Sequence, residues 1–87
     1  IGPVSVAIEA DNIAFQSYKQ GVITSRLCGT KLDHGVLVVG YGVENNIPYF
    51  LVKNSWGSGW GDNGYVKIGA TSDNICGILS TPSYPII

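Results

Sequence analysis

Few side chains here can do acid–base or nucleophilic work: among 87 residues there is one histidine, His34, and two cysteines, Cys28 and Cys76. An imidazole changes charge near neutral pH, which makes it the side chain best suited to moving a proton there. It needs a second group to fix its tautomer, and the spacing offers one. Glu44-Asn45-Asn46 is a polar turn between two apolar runs, one from His34 to Gly42 and the other from Pro48 to Lys53. If those runs pair as an antiparallel hairpin, His34 and Asn54 arrive at the same end of a sheet. A side-chain amide oxygen accepting one imidazole N–H would aim the other ring nitrogen outward, the orienting role in a nucleophile–base–orienter triad. A lone histidine in a core or on a surface is the plainer alternative.

The triad needs a nucleophile, and the chain offers no convincing one. Cys28 lies six residues before His34, but Cys76 is an obvious partner for it. Two cysteines in a glycine-rich chain suit one disulfide in an oxidising compartment, with two reduced buried thiols as the alternative. Ser55 follows Asn54 directly, so on an extended backbone it leaves from the opposite side. Ser58, Thr71 and Ser80 have no neighbouring base in the sequence. The run Gly57-Ser58-Gly59-Trp60-Gly61 lacks the lysine and helix that would let it cradle a phosphate. One histidine and two distant cysteines do not make a four-ligand zinc site, so neither metal nor cofactor is expected. Asp62, Asp73 and Glu44 stand singly on polar loops as solvated charges.

The elements that must position these groups follow from pattern. At 45% hydrophobic and 13% charged residues, the composition is that of a folding chain, and the length allows one small core. Five basic against six acidic groups give no electrostatic pull toward nucleic acid or an anionic membrane, and no apolar run approaches the ~20 residues of a membrane span. Neither partner is expected. Residue 1 is Ile and methionine is absent, so we expect an excised or processed piece. Val4, Val6 and Ile8 alternate in a first strand over Pro3 to Ile8. Asp11 or Asn12 caps a helix of two turns carrying Phe15 and Tyr18 on one face and closed at Gly21. Val22 to Leu32 reads as an irregular loop anchored by Cys28. After the hairpin, Asn54 to Gly64 is a shaped loop with four glycines and two tryptophans, too glycine-rich for a helix. Gly64 to Ile68 is a third sheet strand, and the tail from Cys76 to Ile87 ends in short extended pieces broken by Pro82 and Pro85. The expectation is a mainly β domain, an antiparallel sheet or half-barrel with one short helix.

Leu32-Asp33-His34-Gly35, Val38-Val39-Gly40-Tyr41-Gly42, the run from Lys53 through Asn54-Ser55-Trp56-Gly57 to Trp60-Gly61, and Asn63-Gly64-Tyr65 together resemble the C-terminal half of papain-like cysteine proteases, nearest to the cathepsin L-like group. Pro3 to Ala7, Cys76-Gly77-Ile78 and Ser83-Tyr84-Pro85 fit the same pattern, so the resemblance covers essentially residues 1–87. It implies the β-rich domain of the papain-like α+β fold. His34 resembles the catalytic histidine and Asn54 its orienter. Trp56 resembles the indole that shields their contact and borders the leaving-group side of the cleft, and Asp33 an acidic neighbour with either a secondary electrostatic role or a structural one. Ala7, Leu32, Gly35 and Thr81 resemble the lining of the pocket for the second residue on the acyl side of the scissile bond, and none is charged. Cys28 and Cys76 resemble the disulfide within this domain.

The departure from the family pattern is equally informative. The nucleophilic cysteine motif belongs about 130–150 residues before the histidine, and neither it nor the family's oxyanion-hole glutamine stands before His34 here. The resemblance therefore implies a chain that is inactive alone and depends on a helical N-terminal domain for its attacking sulfur. It further implies a peptide or protein substrate, protein inhibitors as possible partners, and a lysosomal, vacuolar or extracellular setting. A non-catalytic homologue, or a module that binds an inhibitor or subunit through an uncovered face, is the alternative.

Overall fold

The computed structural model describes residues 3–25, 28–71 and 73–79. Five strands form one sheet in the order β1-β3-β4-β5-β2: β1 is Val4–Ile8, β2 Val22–Ile23, β3 His34–Glu44, β4 Ile47–Lys53 and β5 Tyr65–Gly69. The pairs β1–β3, β3–β4 and β4–β5 are antiparallel. The mainly β expectation with one short helix holds, with an addition at the edge. Val22 and Ile23, inside the segment read as an irregular loop, pair in parallel with Lys67 and Ile68, which makes the sheet mixed. Two residues are too short to carry a period, so the pattern could not show them.

The hairpin turns on two residues, Asn45 and Asn46, both in the left-handed region at φ 51° and 65°. That is the geometry of a type I′ turn, whose twist matches the flanking strands and which favours Asn. The register runs from Glu44 opposite Ile47 to Leu37 opposite Lys53, with one shift between Val38 and Gly40 that leaves Val39 as an extra residue in β3.

The helix α1, Ile13–Gln16, is one turn rather than two. Asn12, not Asp11, caps it: its backbone is extended and its Oδ1 accepts the Phe15 N–H at 2.8 Å. The turn ends early because the Tyr18 N–H goes to Phe15 O, tightening the last turn, while the Ser17 hydroxyl joins its own N–H on the Ile13 carbonyl. Tyr18 is still buried, beyond the helix, with its hydroxyl donating to Gly21 O at 2.6 Å.

The core lies between the sheet and this turn. Ile8, Phe15, Val52, Val66, Ile68, Ile75 and Cys76 are its most fully enclosed side chains. Cys28 and Cys76 are disulfide-bonded, 48 residues apart. The tail starts with a 3-10 turn at Ile75–Gly77, while Pro82 and Pro85, with the extended pieces expected around them, lie outside the described residues. Around the disulfide the chain is tied by polar contacts: Glu9 N donates to Cys76 O at 2.8 Å and Cys76 N to Cys28 O at 3.2 Å. The Glu9 carboxylate takes the Gly29 and Lys31 N–H groups at 2.7 and 3.0 Å.

Candidate active site

His34 begins β3 and Asn54 follows the last residue of β4. Their side chains meet, with His34 Nε2 and Asn54 Oδ1 2.7 Å apart. The same Oδ1 accepts the Ser55 N–H at 2.8 Å. That second contact fixes the chemistry, because a backbone N–H can point only at the carbonyl side of the amide. Oδ1 is then an acceptor toward the imidazole as well. Nε2 carries the proton, and Nδ1 is left with the lone pair of a neutral ring, ready to accept a proton or, once protonated, to give one. The Asn54 backbone is held in turn by its N–H donating to Gly64 O at 3.0 Å.

Asn54 is 5% exposed. Among the described residues its Nδ2 is enclosed without a hydrogen-bond partner. An orphaned buried donor costs on the order of 1–3 kcal/mol, so the amide sits here at a stability cost that the His34 contact offsets only in part.

Aromatic rings close over this pair. Trp56 stacks on His34 with centroids 5.3 Å apart and planes inclined 29°. Phe15 meets Trp56 edge-on at 5.3 Å and Trp60 at 4.8 Å, and Trp56 meets Trp60 edge-on at 5.4 Å. The Trp60 indole N–H reaches Gln16 O at 3.2 Å. Through these contacts the single turn of α1 braces the Asn54–Gly64 loop. Gly61 shows why that loop requires glycine: its φ is +60°, and a Cβ there would stand 2.8 Å from Tyr65 O. Excluding water from a polar contact strengthens it, and the Trp56 stack covers the imidazole on one face.

Asp33 is exposed, yet its carboxylate is engaged. It accepts the Ala10 and Asp11 N–H groups at 2.8 and 3.3 Å, while its own N–H donates to Ile8 O at 3.0 Å. It thereby fastens the link between β1 and α1 to the residue before His34. Both cysteines are in the disulfide, and among the described residues there is no free thiol. Ser55 is exposed and contributes its backbone amide.

Of the four residues assigned to the acyl-side pocket, Ala7 and Gly35 are Cα partners across β1 and β3. A Cβ on Gly35 would meet open space. The Leu32 Cδ2 lies close against Gly77, and Thr81 is outside the described residues. A cavity of about 430 Å³ beside Asn54 has Gly35, Ser5, Val36 and Leu37 among its walls, but neither Ala7 nor Leu32. Phe15, Trp60 and Glu9 were not singled out from the sequence as positioning residues. Phe15 reads simply as one face of a helix and Trp60 as part of a glycine-rich loop, and nothing local marks a Glu9 that binds backbone twenty residues away.

Comparison with known proteins agrees with this geometry. The family profile described as papain family cysteine protease matches residues 1–86. Digestive cysteine proteinase 3 of Homarus americanus is 57% identical over 88 residues, spanning 100% of this chain, and cathepsin L2 of Homo sapiens is 56% identical over 98% of it. This chain spans 27% of the length of each. Among solved structures, digestive procathepsin L 3 from the larval midgut of Tenebrio molitor superposes with a TM-score of 0.86 at 48% identity, over 99% of this chain and 28% of that one. The Carica candamarcensis cysteine protease CMS1MS2, solved in complex with E-64, gives 0.84 at 48% identity, over 95% and 38%. With a sheet that superposes on theirs and about half of its residues in common, this chain belongs to the papain family of cysteine proteases.

Proposed function

We propose that this chain is the β-rich part of a cysteine endopeptidase and contributes its base and orienter, His34 and Asn54, while the rest of the polypeptide, including a helical N-terminal domain, supplies the attacking sulfur. The observation that carries the reading is the 2.7 Å contact of His34 Nε2 with an amide oxygen whose identity the Ser55 N–H fixes. It prepares Nδ1 to take the proton of a thiol, forming a thiolate–imidazolium pair. The thiolate attacks the peptide carbonyl carbon. The C–N bond then breaks as the imidazolium gives its proton to the departing amine, leaving a thioester. Water attacks the thioester, His34 takes the water's proton, and the thiolate leaves with the acid product released. Asn54 holds the ring through both steps, and Trp56 shields their contact.

The chain alone is inactive on this reading, since its two sulfurs are joined to each other. By the family resemblance, the uncharged residues Ala7, Leu32, Gly35 and Thr81 are assigned to the second acyl-side residue of the substrate, so an apolar side chain is preferred there. Peptides, proteins and active-site inhibitors are the partners, in keeping with the E-64 bound to the Carica candamarcensis relative. A disulfide-bonded chain of this family suits a lysosomal, vacuolar or extracellular setting.

The test is hydrolysis of a fluorogenic peptide by the full-length polypeptide and its variants. His34→Ala should lower kcat by about 10³-fold or more, and Asn54→Ala by on the order of 10²-fold with the pH profile of thiol alkylation displaced. Unchanged turnover in His34→Ala rejects the assignment.

A further inference from the structure

Glu9 directly follows β1, and both of its carboxylate oxygens are engaged by the protein itself. Oε2 accepts the Gly29 N–H at 2.7 Å and the Asn12 side-chain N–H at 3.2 Å, and Oε1 accepts the Lys31 N–H at 3.0 Å. Hydrogen bonds to an ionised oxygen are stronger than those between neutral groups. Gly29 is shaped for this contact. Its backbone lies outside the left-handed region, yet a Cβ there would stand 2.9 Å from Glu9 Oε2. The carboxylate, and not the local dihedral angles, is what requires a glycine at this position.

Two routes lead from this carboxylate to the imidazole. Along the chain, residues 29–33 belong to no helix or strand. Glu9 holds the start of that segment, and the Asp33 contacts to Ile8, Ala10 and Asp11 hold its end, immediately before His34. Through space, Asn12 Nδ2 donates to the Glu9 carboxylate and, at 3.1 Å, to the Glu9 carbonyl. Those contacts fix which way the Asn12 amide faces, so its Oδ1 is presented to the Phe15 N–H. Phe15 meets Trp56 edge-on, and Trp56 stacks on His34. One acid therefore bears on both the backbone leading into the base and the ring that covers it.

On the endopeptidase reading above, we infer that Glu9 is a positioning residue for the hydrolysis, its carboxylate setting the place of the His34 imidazole. None of its three partners is a residue assigned to the substrate pocket, so its loss acts on kcat and leaves KM nearly unchanged.

The experiment uses the full-length polypeptide, each variant being assayed on a fluorogenic peptide well below its own unfolding midpoint, with the His34 ring shifts recorded by NMR. Glu9→Ala should lower kcat about tenfold with KM within about twofold of the parent, because small misplacements of a reacting group are costly in rate. The His34 shifts should move with it. Glu9→Gln keeps an oxygen for Gly29 and Asn12 but turns its NH2 toward the Lys31 N–H, so kcat should fall only about threefold. Gly29→Ala pushes the carboxylate away and should act like Glu9→Ala. In the double variant the two losses should then not add. Should Glu9→Ala fail to fold, Gly29→Ala and Glu9→Gln carry the comparison, with lower kcat and displaced His34 shifts expected in both. Parent-like kcat in folded Glu9→Ala or Gly29→Ala, lost kcat with unmoved His34 shifts, or additive losses in the double variant overturn the role of Glu9 and leave the endopeptidase reading intact. Absence of turnover in the parent overturns both.

Discussion

The two ends of β3 are built on different principles. At the His34 end the contacts join segments far apart in sequence: His34 to Asn54 across 20 residues, Ala10 to Asp33 across 23, and Trp60 to Gln16 across 44. At the Glu44 end the two-residue turn at Asn45-Asn46 joins strands that are neighbours in the chain. There Tyr41 and Val43 are 86% and 69% exposed. The Tyr49 ring lies so close over Gly42 that a Cβ would meet its hydroxyl at 2.8 Å. Lys67 crosses from β5 to pair with Glu44 at 2.6 Å, 5.3 Å from the Tyr49 ring centroid. One end sets the register by local backbone geometry, and the other uses that register to bring an imidazole and an amide together. A slip of one residue at the turn would send alternating side chains to the wrong face of the sheet, so the plain end governs the chemical one.

That contrast can be broken from either side. The largest stability effect is expected from removing the disulfide in the full-length protein. Cys28→Ser with Cys76→Ser should cost about 4 kcal/mol on the chain-entropy argument for a loop of this length. Hydrogen exchange should then rise around Glu9 and the 3-10 turn well before it rises in the β3–β4 hairpin, and uniform loss of protection would deny that the two ends are separately held. Next comes Phe15→Ala, which empties the fully buried centre of the aromatic cluster and should cost roughly 3–5 kcal/mol. It removes the edge contact on Trp56 and the tilted contact on Trp60, so their fluorescence should shift toward that of solvated indole; an unchanged spectrum would mean that α1 does not brace the loop. At the far end, Asn46→Ala places a Cβ-bearing residue without Asn's tolerance at φ 65° and should cost about 1 kcal/mol. The His34 ring resonances should keep their chemical shifts in the folded variant, and displaced shifts would show that strain at the turn reaches the rim.

The smallest effect concerns pH. Burial raises the Tyr18 hydroxyl above its ordinary value, and the hydrogen bond to Glu44 raises the Lys67 ammonium. Both hold their protons more tightly in the folded than in the unfolded chain. Their stabilising contribution is therefore complete below about pH 10 and declines as pH climbs through the folded values. Thermal unfolding midpoints should fall above pH 10, less steeply in Tyr18→Phe than in the parent. Equal slopes would remove Tyr18 from the account.

What the sequence disclosed follows the same division. The hairpin was legible because a polar Asn-Asn turn between apolar runs is a local signal, and with it came the meeting of His34 and Asn54. The Asn12 cap was narrowed to two neighbours by residue type alone. The second turn of α1 failed because the Tyr18 N–H bonds Phe15 O, three residues back, instead of continuing the helical ladder, a choice that periodicity does not register. The β2 strand owes its existence to β5, which lies more than forty residues away. Glu9 and Asp33 were equally opaque in their final roles: a carboxylate that binds backbone amides twenty residues distant looks, in a string of letters, like any solvated acid.

The Asn54 amide nitrogen, sealed from solvent and without an acceptor among the described residues, makes this corner of the fold more costly than a purely apolar one would be. A search for hardier variants that scored only heat resistance would be drawn to this position, and swapping the amide for a hydrocarbon of like volume would relieve the buried donor. If the proposed function holds, such a variant endures longer and turns over more slowly, so any programme of thermal improvement on this scaffold has to screen for peptide cleavage alongside melting temperature.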